Sequence, residues 1–243
     1  MDIRGDRECT ACGTRWSYFE TGSVGCPACG SLRSVATGER SRHTDTPVEF
    51  DLTAVRAAVD DVPTGELAER AKSACREYVR NRGFVRGGDL RELDETYVAA
   101  TELSHAADLV GRATRPTEDE ELYFLALLRD ADAGIRPDTE DVPPSFREAR
   151  GLAVADAVGA YRRDVRQWVD ARETALEPAA RSLLETLTDY ETRLDMLEGD
   201  VDPEIAEDLL AATRHLGYGV QGDAAELERA RERLADVFGT ESG

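Results

Sequence analysis

The chain has 243 residues and a formal net charge of −20, because 50 acidic residues face 30 basic ones. It is 41% hydrophobic, which is enough to bury a core and excludes a generically disordered chain. Aromatic residues make up 6%, which favours a helical fold over a β-sandwich. No apolar run approaches the ~20 residues of a membrane-spanning helix, and the first residues lack the apolar core of a secretion signal. We therefore expect a cytoplasmic protein without membrane contact.

The charged residues and their distribution along the chain indicate the kind of organism that makes the protein. Lys72 is the one lysine, and the other 29 basic residues are arginine. Carboxylates spread along a whole chain keep a surface hydrated in a salt-rich cytosol, which predicts a halophilic archaeon. The alternative, an acidic mimic of DNA or an acidic tail for a basic partner, would concentrate its acids in blocks. Residues 1–43 escape the acidic bias with a charge of +1, which leaves −21 for residues 44–243.

Four cysteines near the N-terminus form two C-x-x-C-G units with a thirteen-residue spacer. Each unit predicts a tight turn that directs two thiolates at one centre, with the glycine supplying the positive φ that closes the turn. Two such turns give a tetrahedron of sulfur that suits one Zn²⁺ ion. No coordination position stays open, so the site is predicted to be structural. The predicted ligands are Cys9, Cys12, Cys26 and Cys29.

Three other interpretations of the cysteines remain. Two disulfides are rare in a cytosolic protein. Iron held as in rubredoxin uses the same kind of turn as zinc. A redox C-x-x-C of the thioredoxin type needs a strand before it and a helix after it, and the sequence indicates neither.

Residues 5–35 resemble a zinc ribbon of the transcription factor IIB type. The whole chain resembles an uncharacterised group of haloarchaeal proteins with an N-terminal ribbon of this kind. The resemblance implies zinc binding, and it is compatible with a role in transcription.

The spacer between the two turns reads as a β-hairpin, with Trp16 and Tyr18 on one face and Arg15 and Phe19 on the other. Trp16 is expected to cover the metal turns, since so small a domain has almost no other core. The alternative is a stacking platform for bases, with arginines on phosphate. The candidate contact residues for a nucleic acid or a partner are Arg15, Trp16, Tyr18, Arg33, Arg40 and Arg42.

We predict a zinc ribbon over residues 1–36, a polar linker over 37–51 and an acidic all-α domain over 52–240. The fold class is thus mainly α, a small β-hairpin zinc ribbon followed by an all-α helical bundle. His43, in the linker, is expected to be exposed to solvent.

Capping boxes predict four helix starts, at Asp89/Glu92, Thr117/Glu120, Ser145/Glu148 and Asp223/Glu226, and Asp202-Pro203 predicts a fifth. The predicted helices cover residues 53–60, 65–82, 90–112, 118–133, 146–176, 178–198, 203–216 and 224–238.

Hydrophobic periodicity refines this picture. Alternating steps of three and four residues predict two long packing helices, through Val154, Val158, Tyr161, Val165 and Trp168 and through Leu183, Leu187, Tyr190, Leu194 and Leu197. Pro178 breaks or kinks the chain between them, so residues 146–198 form one kinked helix or two. The continuous apolar run 122–128 predicts the central buried helix.

Two further features have a structural and a chemical interpretation. Cys75 lies on an apolar helix face, which indicates a small buried side chain rather than a reactive thiol. Glu102 and His105 form a Glu-x-x-His motif that, beside rubredoxin-like turns, resembles the di-iron protein rubrerythrin. A di-iron bundle needs a second such motif, but Ala212 stands where His215 would require glutamate. A helical wheel also turns Glu102 away from the apolar stripe.

No phosphate-binding loop, dinucleotide fingerprint or nucleophile elbow occurs. We therefore expect a non-enzymatic, zinc-binding recognition or scaffold protein in transcription or RNA metabolism. A protein–protein adaptor without nucleic-acid contact and a di-iron oxidoreductase remain the alternatives. The expected partner is a protein or nucleic-acid machinery.

Overall fold

A computed structural model describes residues 1–113, 115–172 and 175–239. The N-terminal part is a three-stranded antiparallel sheet in the order β2-β1-β3. Its elements are β1 (Asp2–Cys9), β2 (Arg15–Ser17), the short helix α1 (Tyr18–Thr21) and β3 (Ser34–Arg42). The remainder is helical apart from a two-stranded hairpin, so the expected mainly α fold with a small N-terminal sheet is confirmed.

The helical part has these elements in chain order: α2 (Thr53–Arg56), α3 (Thr64–Asn81), β4 (Val85–Arg86), β5 (Asp89–Leu90), α4 (Glu95–Arg112), α5 (Glu118–Asp130), α6 (Arg147–Ala171), α7 (Pro178–Met196), α8 (Pro203–Gly219) and α9 (Ala224–Gly239). Single 3-10 turns lie between α5 and α6, over Ala131–Ala133, Thr139–Asp141 and Pro144–Phe146. None of the helices in the described ranges is both long enough and apolar enough to cross a bilayer.

The predicted hairpin between the cysteine turns is wrong. Strand β2 ends at Ser17 and pairs with β1, Arg7 standing opposite Trp16, and the chain then enters helix α1. Strand β3 also pairs with β1, and an irregularity near Gly38, at φ +75°, shifts the register between the two halves of the strand. Neither β1 nor β3 shows an apolar alternation, because neither strand buries a regular face: β3 has no buried residue, and β1 buries Gly5 and Cys9.

Residues 37–51 do not form an irregular linker over their whole length, since β3 continues to Arg42. The next residues are fastened to the helical part: Thr44 N donates to the Val85 carbonyl at 2.8 Å, and the Thr44 hydroxyl donates to Asp164 at 2.6 Å. Asp45 is fully buried and accepts hydrogen bonds from Arg82 and Arg86. The ribbon is therefore held against the helices by a stretch of extended, hydrogen-bonded chain.

Two of the predicted helix starts are confirmed. Thr117 and Glu120 form a reciprocal capping box at α5, and the Asp202 side chain accepts from Glu204 N ahead of Pro203 at α8. A third start, at Asp223, is also confirmed, since α9 begins at Ala224 and the Asp223 carboxylate accepts from Ala225 N, but the box is incomplete because Glu226 contacts His215.

The other two predicted capping boxes are wrong. Helix α4 begins after Asp94, whose carboxylate accepts from Tyr97 N, because Asp89 belongs to the hairpin β4–β5. Helix α6 follows a 3-10 turn and has no side-chain cap, so Ser145 and Glu148 do not form a box there.

The core is centred on α4 and α6 rather than on the apolar run 122–128. Helix α4 packs against α3, α5 and α6, and α6 packs against α4, α7 and α8. Helix α5 lies at the edge, with Leu122 59% exposed and only one of its faces buried. The apolar run 122–128 goes round the whole helix, but the neighbouring helices cover one face of α5, so part of the run faces solvent.

The periodicity of the long helices is confirmed, and they are two separate helices, α6 and α7. All five positions of the α6 stripe are buried, whereas the last position of the α7 stripe, Leu197, is 43% exposed beyond the helix end. Residues 173–174, which the prediction places in the first helix, lie outside the described residues, as does residue 240. Cys75 is fully buried, as expected, and burial raises the pKa of its thiol.

The helical wheel predicts that Glu102 points away from the core. This prediction is wrong, because α4 is covered on more than one side. The carboxylate is fully buried and accepts hydrogen bonds from the Tyr123 hydroxyl, from Arg136 at 3.1 Å and from Arg150 at 3.3 Å. Two guanidinium groups neutralise this carboxylate, and His105 is paired instead with Asp156. These contacts fit an ion-pair cluster of the core and not a metal ligand.

Candidate metal centre

Each C-x-x-C-G unit folds into the same kind of turn. In the first, Cys9 ends β1, its amide donates to the Thr14 carbonyl, and Gly13 N donates back to the Cys9 carbonyl. In the second, Cys26 N donates to the Ser31 carbonyl and Gly30 N donates to the Cys26 carbonyl, each at 2.9 Å. Both glycines have positive φ, +75° and +70°, as the sequence predicts. The two turns are thus repeats of one local structure that face each other.

The four thiols converge on one point. Cys9 Sγ lies 3.7 Å from Cys29 Sγ, Cys12 Sγ lies 3.5 Å from Cys26 Sγ, and all four sulfurs lie within 4.8 Å of one another. A tetrahedral ion with metal–sulfur bonds of about 2.3 Å separates its ligands by about 3.8 Å. The observed spacing fits a single tetrathiolate ion, and all four cysteines are free thiols. The predicted ligand set is thereby brought together at one centre.

Hydrogen bonds from the turns favour the thiolate form. The Thr14 hydroxyl and amide lower the pKa of Cys12 to about 6. Burial raises the pKa of Cys26, but hydrogen bonds from the amides of Cys29 and Ala28 and from the Cys29 thiol leave this pKa lowered on balance. The Ser31 amide lowers the pKa of Cys29, whereas the neighbouring thiols raise it to about 12. The cluster therefore resists holding four negative charges by itself, and a divalent cation at its centre removes that repulsion.

The cluster is covered by protein on one side and faces solvent on the other. Cys9 and Cys26 are buried and pack with Trp16, whereas Cys12 and Cys29 are exposed. The indole Nε1 of Trp16 donates to the Ser23 carbonyl at 2.9 Å and so fixes the spacer chain over the sheet. The expectation that Trp16 forms the core of the ribbon is confirmed, and its ring is not available for stacking on a base.

The other candidate contact residues do not form one surface. Tyr18 is half-buried beside His43, Arg15 pairs with Glu8 at 2.9 Å, and Arg42 is held by Gln167 and, at 3.6 Å, by Asp2. Three of the six are exposed arginine side chains: Arg33, Arg40 and Arg15, whose side chain stays 79% exposed beside Glu8. In the sheet Arg40 lies directly opposite Arg4, which is also exposed and which the sequence analysis did not single out.

His43 and Phe19 join the ribbon to the helical part, and the expectation of an exposed histidine is wrong. His43 is 5% exposed, its ring centre lies 4.7 Å from that of Phe19, and its Nδ1 accepts from Gly87 N at 3.3 Å. Burial lowers the pKa of His43, with Arg86 lowering it further and Asp45 opposing them. The histidine lies at the junction, and the four-thiol group does not include it.

Phe19 was missed as a positioning residue. It belongs to α1, in the spacer between the two cysteine turns, and its ring occupies the space that a Cβ atom would fill at Gly5 or at Gly87. A β-carbon would lie 2.1 Å from the ring at Gly5 and 2.8 Å from it at Gly87. A glycine in each of two remote segments was the available signal, but nothing in the sequence connects them to Phe19.

Comparison with known proteins gives a family without an assigned role. No curated protein and no solved structure matches the chain. A family model described as "Family of unknown function (DUF7117)" matches residues 1–234. The match spans the ribbon and nearly all of the helical part, and the chain belongs to this family.

Proposed function

We propose that this protein is a non-enzymatic recognition or scaffold protein of a salt-rich archaeal cytoplasm, in which one structural Zn²⁺ ion builds the recognition module. The observation that carries the proposal is the cluster of four thiols within 4.8 Å of one another. Four protein ligands complete a tetrahedral zinc shell and leave no site for a substrate. The metal then stabilises a small sheet whose own core consists of Cys9, Trp16 and Cys26.

The proposed role in transcription or RNA metabolism rests on the ribbon and on its charge. Residues 1–43 carry +1 in a chain of −20, and both Arg33, directly before β3, and Arg40, within β3, are exposed. Phosphate contacts need arginine or lysine, and the acidic helical part repels a polyanion. The ribbon is therefore the surface that meets a nucleic acid or its machinery.

A protein–protein adaptor is the second candidate, because several predicted contact groups already have partners. Trp16 is buried, Arg15 is paired with Glu8, and Arg42 is held at the junction. Exposed aliphatic side chains lie instead near the metal turns: Leu32 is 77% exposed and Val24 is 44% exposed. Such side chains suit a protein surface better than a stack of bases.

Metal analysis tests the zinc proposal. Full-length protein purified without chelator should contain one zinc per chain, and absence of zinc or a preference for iron would overturn this assignment. Cys12→Ser should lose the metal, whereas Cys75→Ala, which removes a buried thiol outside the cluster, should retain it.

Titration with single-stranded RNA and duplex DNA separates the two candidate roles. Full-length zinc-loaded protein should bind one of them, and the affinity should fall as KCl is raised. Arg33→Ala/Arg40→Ala should weaken this binding, whereas Arg70→Ala should not, since Arg70 is paired with Glu66 on a helix at 2.6 Å. Absence of binding, or an unchanged affinity in the double variant, would refute direct contact and favour the adaptor.

A further inference from the structure

The outer edge of strand β3 is open to solvent over its first residues, whereas the carbonyl of its last residue, Arg42, accepts from Gly88 N at 2.9 Å. The sheet order β2-β1-β3 leaves β3 paired on one side only, and Val35 is 49% exposed. Exposed edge strands template the pairing of another strand, and proteins usually protect them with charges, proline or a covering segment. Residues 34–37, Ser-Val-Ala-Thr, carry no charge and include two β-branched side chains. Nothing in this stretch opposes the addition of a further strand.

The hydrogen-bond pattern shows which backbone groups are available. Thr10 N donates to the Arg33 carbonyl at 2.9 Å, and β1 and β3 pair residue by residue from Cys9 opposite Ser34 to Asp6 opposite Thr37. Backbone groups on an antiparallel strand point alternately towards each side. The groups of Arg33 and Val35 therefore face β1, and those of Ala36 face outward from the edge.

The two charged residues that bound this segment have opposite signs. Arg33 lies before it and Glu39 lies after it, and both are exposed. In the described part of the chain neither side chain forms an ion pair or a hydrogen bond. Antiparallel pairing of two identical edges about Ala36 brings Ala36 opposite itself and Val35 opposite Thr37. It also brings the end that carries Arg33 to the end of the other copy that carries Glu39, just past the irregularity at Gly38. The edge is thus complementary to a second copy of itself in hydrogen bonding, in shape and in charge.

We propose that two copies of this chain associate through their β3 edges and form one six-stranded sheet around a two-fold axis. Each copy contributes residues 34–37 to the paired segment. At each end of that segment, Arg33 of one copy lies near Glu39 of the other. Leu32 and Val24 add apolar area at the same corner, where the Ser34 hydroxyl donates to the Val24 carbonyl at 3.0 Å. The irregularity at Gly38 limits the paired length, so the dimer is expected to be weak and to form in a concentration-dependent way.

Sedimentation velocity of the full-length, zinc-loaded protein tests the association. In molar KCl, which screens the repulsion between two chains of −20, the mass should rise from 26.6 kDa towards twice that value as protein concentration increases. A mass that stays at one chain over the whole accessible concentration range would overturn the proposal.

Substitution at Ala36 identifies the surface. Ala36→Pro removes an amide that faces outward, so the ribbon should keep its zinc and its fold while the dimer is lost. Ala36→Ser keeps the amide and should dimerise like the parent chain. A dimer that persists in Ala36→Pro, with zinc content unchanged, would show that the copies meet elsewhere.

Charge reversal tests the register. Arg33→Glu or Glu39→Arg alone places like charges near each other and should weaken the dimer, and the double reversal should restore it. The effect should be largest at the lowest KCl concentration at which the chain remains folded. Equal dimerisation of the single and double variants would refute pairing about Ala36.

Discussion

Replacing Glu102 by glutamine should destabilise the whole helical part. Its carboxylate is fully buried in α4, where the Tyr123 hydroxyl, Arg136 and Arg150 donate hydrogen bonds to it. Arg136 and Arg150 also bind Glu207, both at 2.8 Å, so the buried part of the cluster pairs two carboxylates with two guanidinium groups, and the half-exposed Glu95 lies at its edge, 3.7 Å from Arg136. Its parts come from α4, α6, α8 and the turns before α6, and it therefore joins elements that are distant in sequence.

The expected loss of unfolding free energy follows from the charges that the substitution leaves in the core. The side chain of Arg136 is 7% exposed and that of Arg150 is 3% exposed, so Glu102→Gln leaves an uncompensated positive charge in the interior. Breaking a buried ion pair in this way costs about 3–5 kcal/mol. Glutamine retains the shape and one carbonyl acceptor, which places the expected loss near the lower limit, about 3 kcal/mol. For a chain of this size such a loss lowers the melting midpoint by roughly 6–12 °C.

Guanidinium chloride unfolding monitored by far-UV circular dichroism measures this loss. Glu66→Gln is a matched control, because Glu66 pairs with Arg70 on the exposed side of α3 and should change the unfolding free energy by about 0.5 kcal/mol or less. A loss below about 1 kcal/mol for Glu102→Gln would refute the reasoning from buried charge. Metal content should not change in this variant, and a loss of bound iron would instead favour the di-iron alternative.

Three further predictions concern the metal, salt and pH. Removal of the metal with a chelator, or Cys9→Ser, should shift the Trp16 fluorescence emission to longer wavelength, since the buried core of the ribbon depends on the metal. Most of the helical circular dichroism should remain. A collapse of the helical signal would show that the helices also require the metal. The melting midpoint should rise from dilute buffer to molar KCl, because salt screens the −21 on residues 44–243, and an unchanged or lower midpoint would argue against the halophilic interpretation. Because burial lowers the pKa of His43, its contribution to stability should be present above the unfolded-state pKa of about 6.5 and lost as the pH falls below that value. His43→Leu should therefore reduce the loss of unfolding free energy between pH 7 and pH 5. An equal loss in the variant would show that His43 is not the group being titrated.

Local chemistry accounts for the parts of the fold that the sequence predicts well. The two C-x-x-C-G units determine their own turns, because a glycine with positive φ and the amides around it require only neighbouring residues. The stripe from Val154 to Trp168 predicts α6 for the same reason, since an apolar face at helical spacing is a property of the segment itself. Thr117 predicts the start of α5 through a contact three residues away.

Features that depend on remote residues were not predicted. Strand β3 is polar and exposed and exists because it pairs with β1, about thirty residues earlier in the chain. His43 is buried because Phe19 covers it, and the two residues meet only in the folded chain. Glu102 is buried because arginines from positions 136 and 150 neutralise it. In each case burial or pairing compensates for a polar sequence, and hydrophobic periodicity cannot indicate such compensation.

The wedge of Phe19 between Gly5 and Gly87 has a consequence for how any partner binds. A ribbon on a flexible tether would sample many orientations, and a partner would bear the entropic cost of selecting one. Here the side chain comes from the same thirteen-residue spacer that separates the two pairs of cysteines, so it adds a contact between the metal turns and the helical part to the hydrogen bonds of Thr44 and Asp45. The sheet is preorganised at a fixed angle to a body that carries most of the negative charge. On the proposed function, a partner of the ribbon would have to fit the sheet and tolerate the field of the acidic helices at the same time, and the helical part would act as an electrostatic filter for what reaches the sheet.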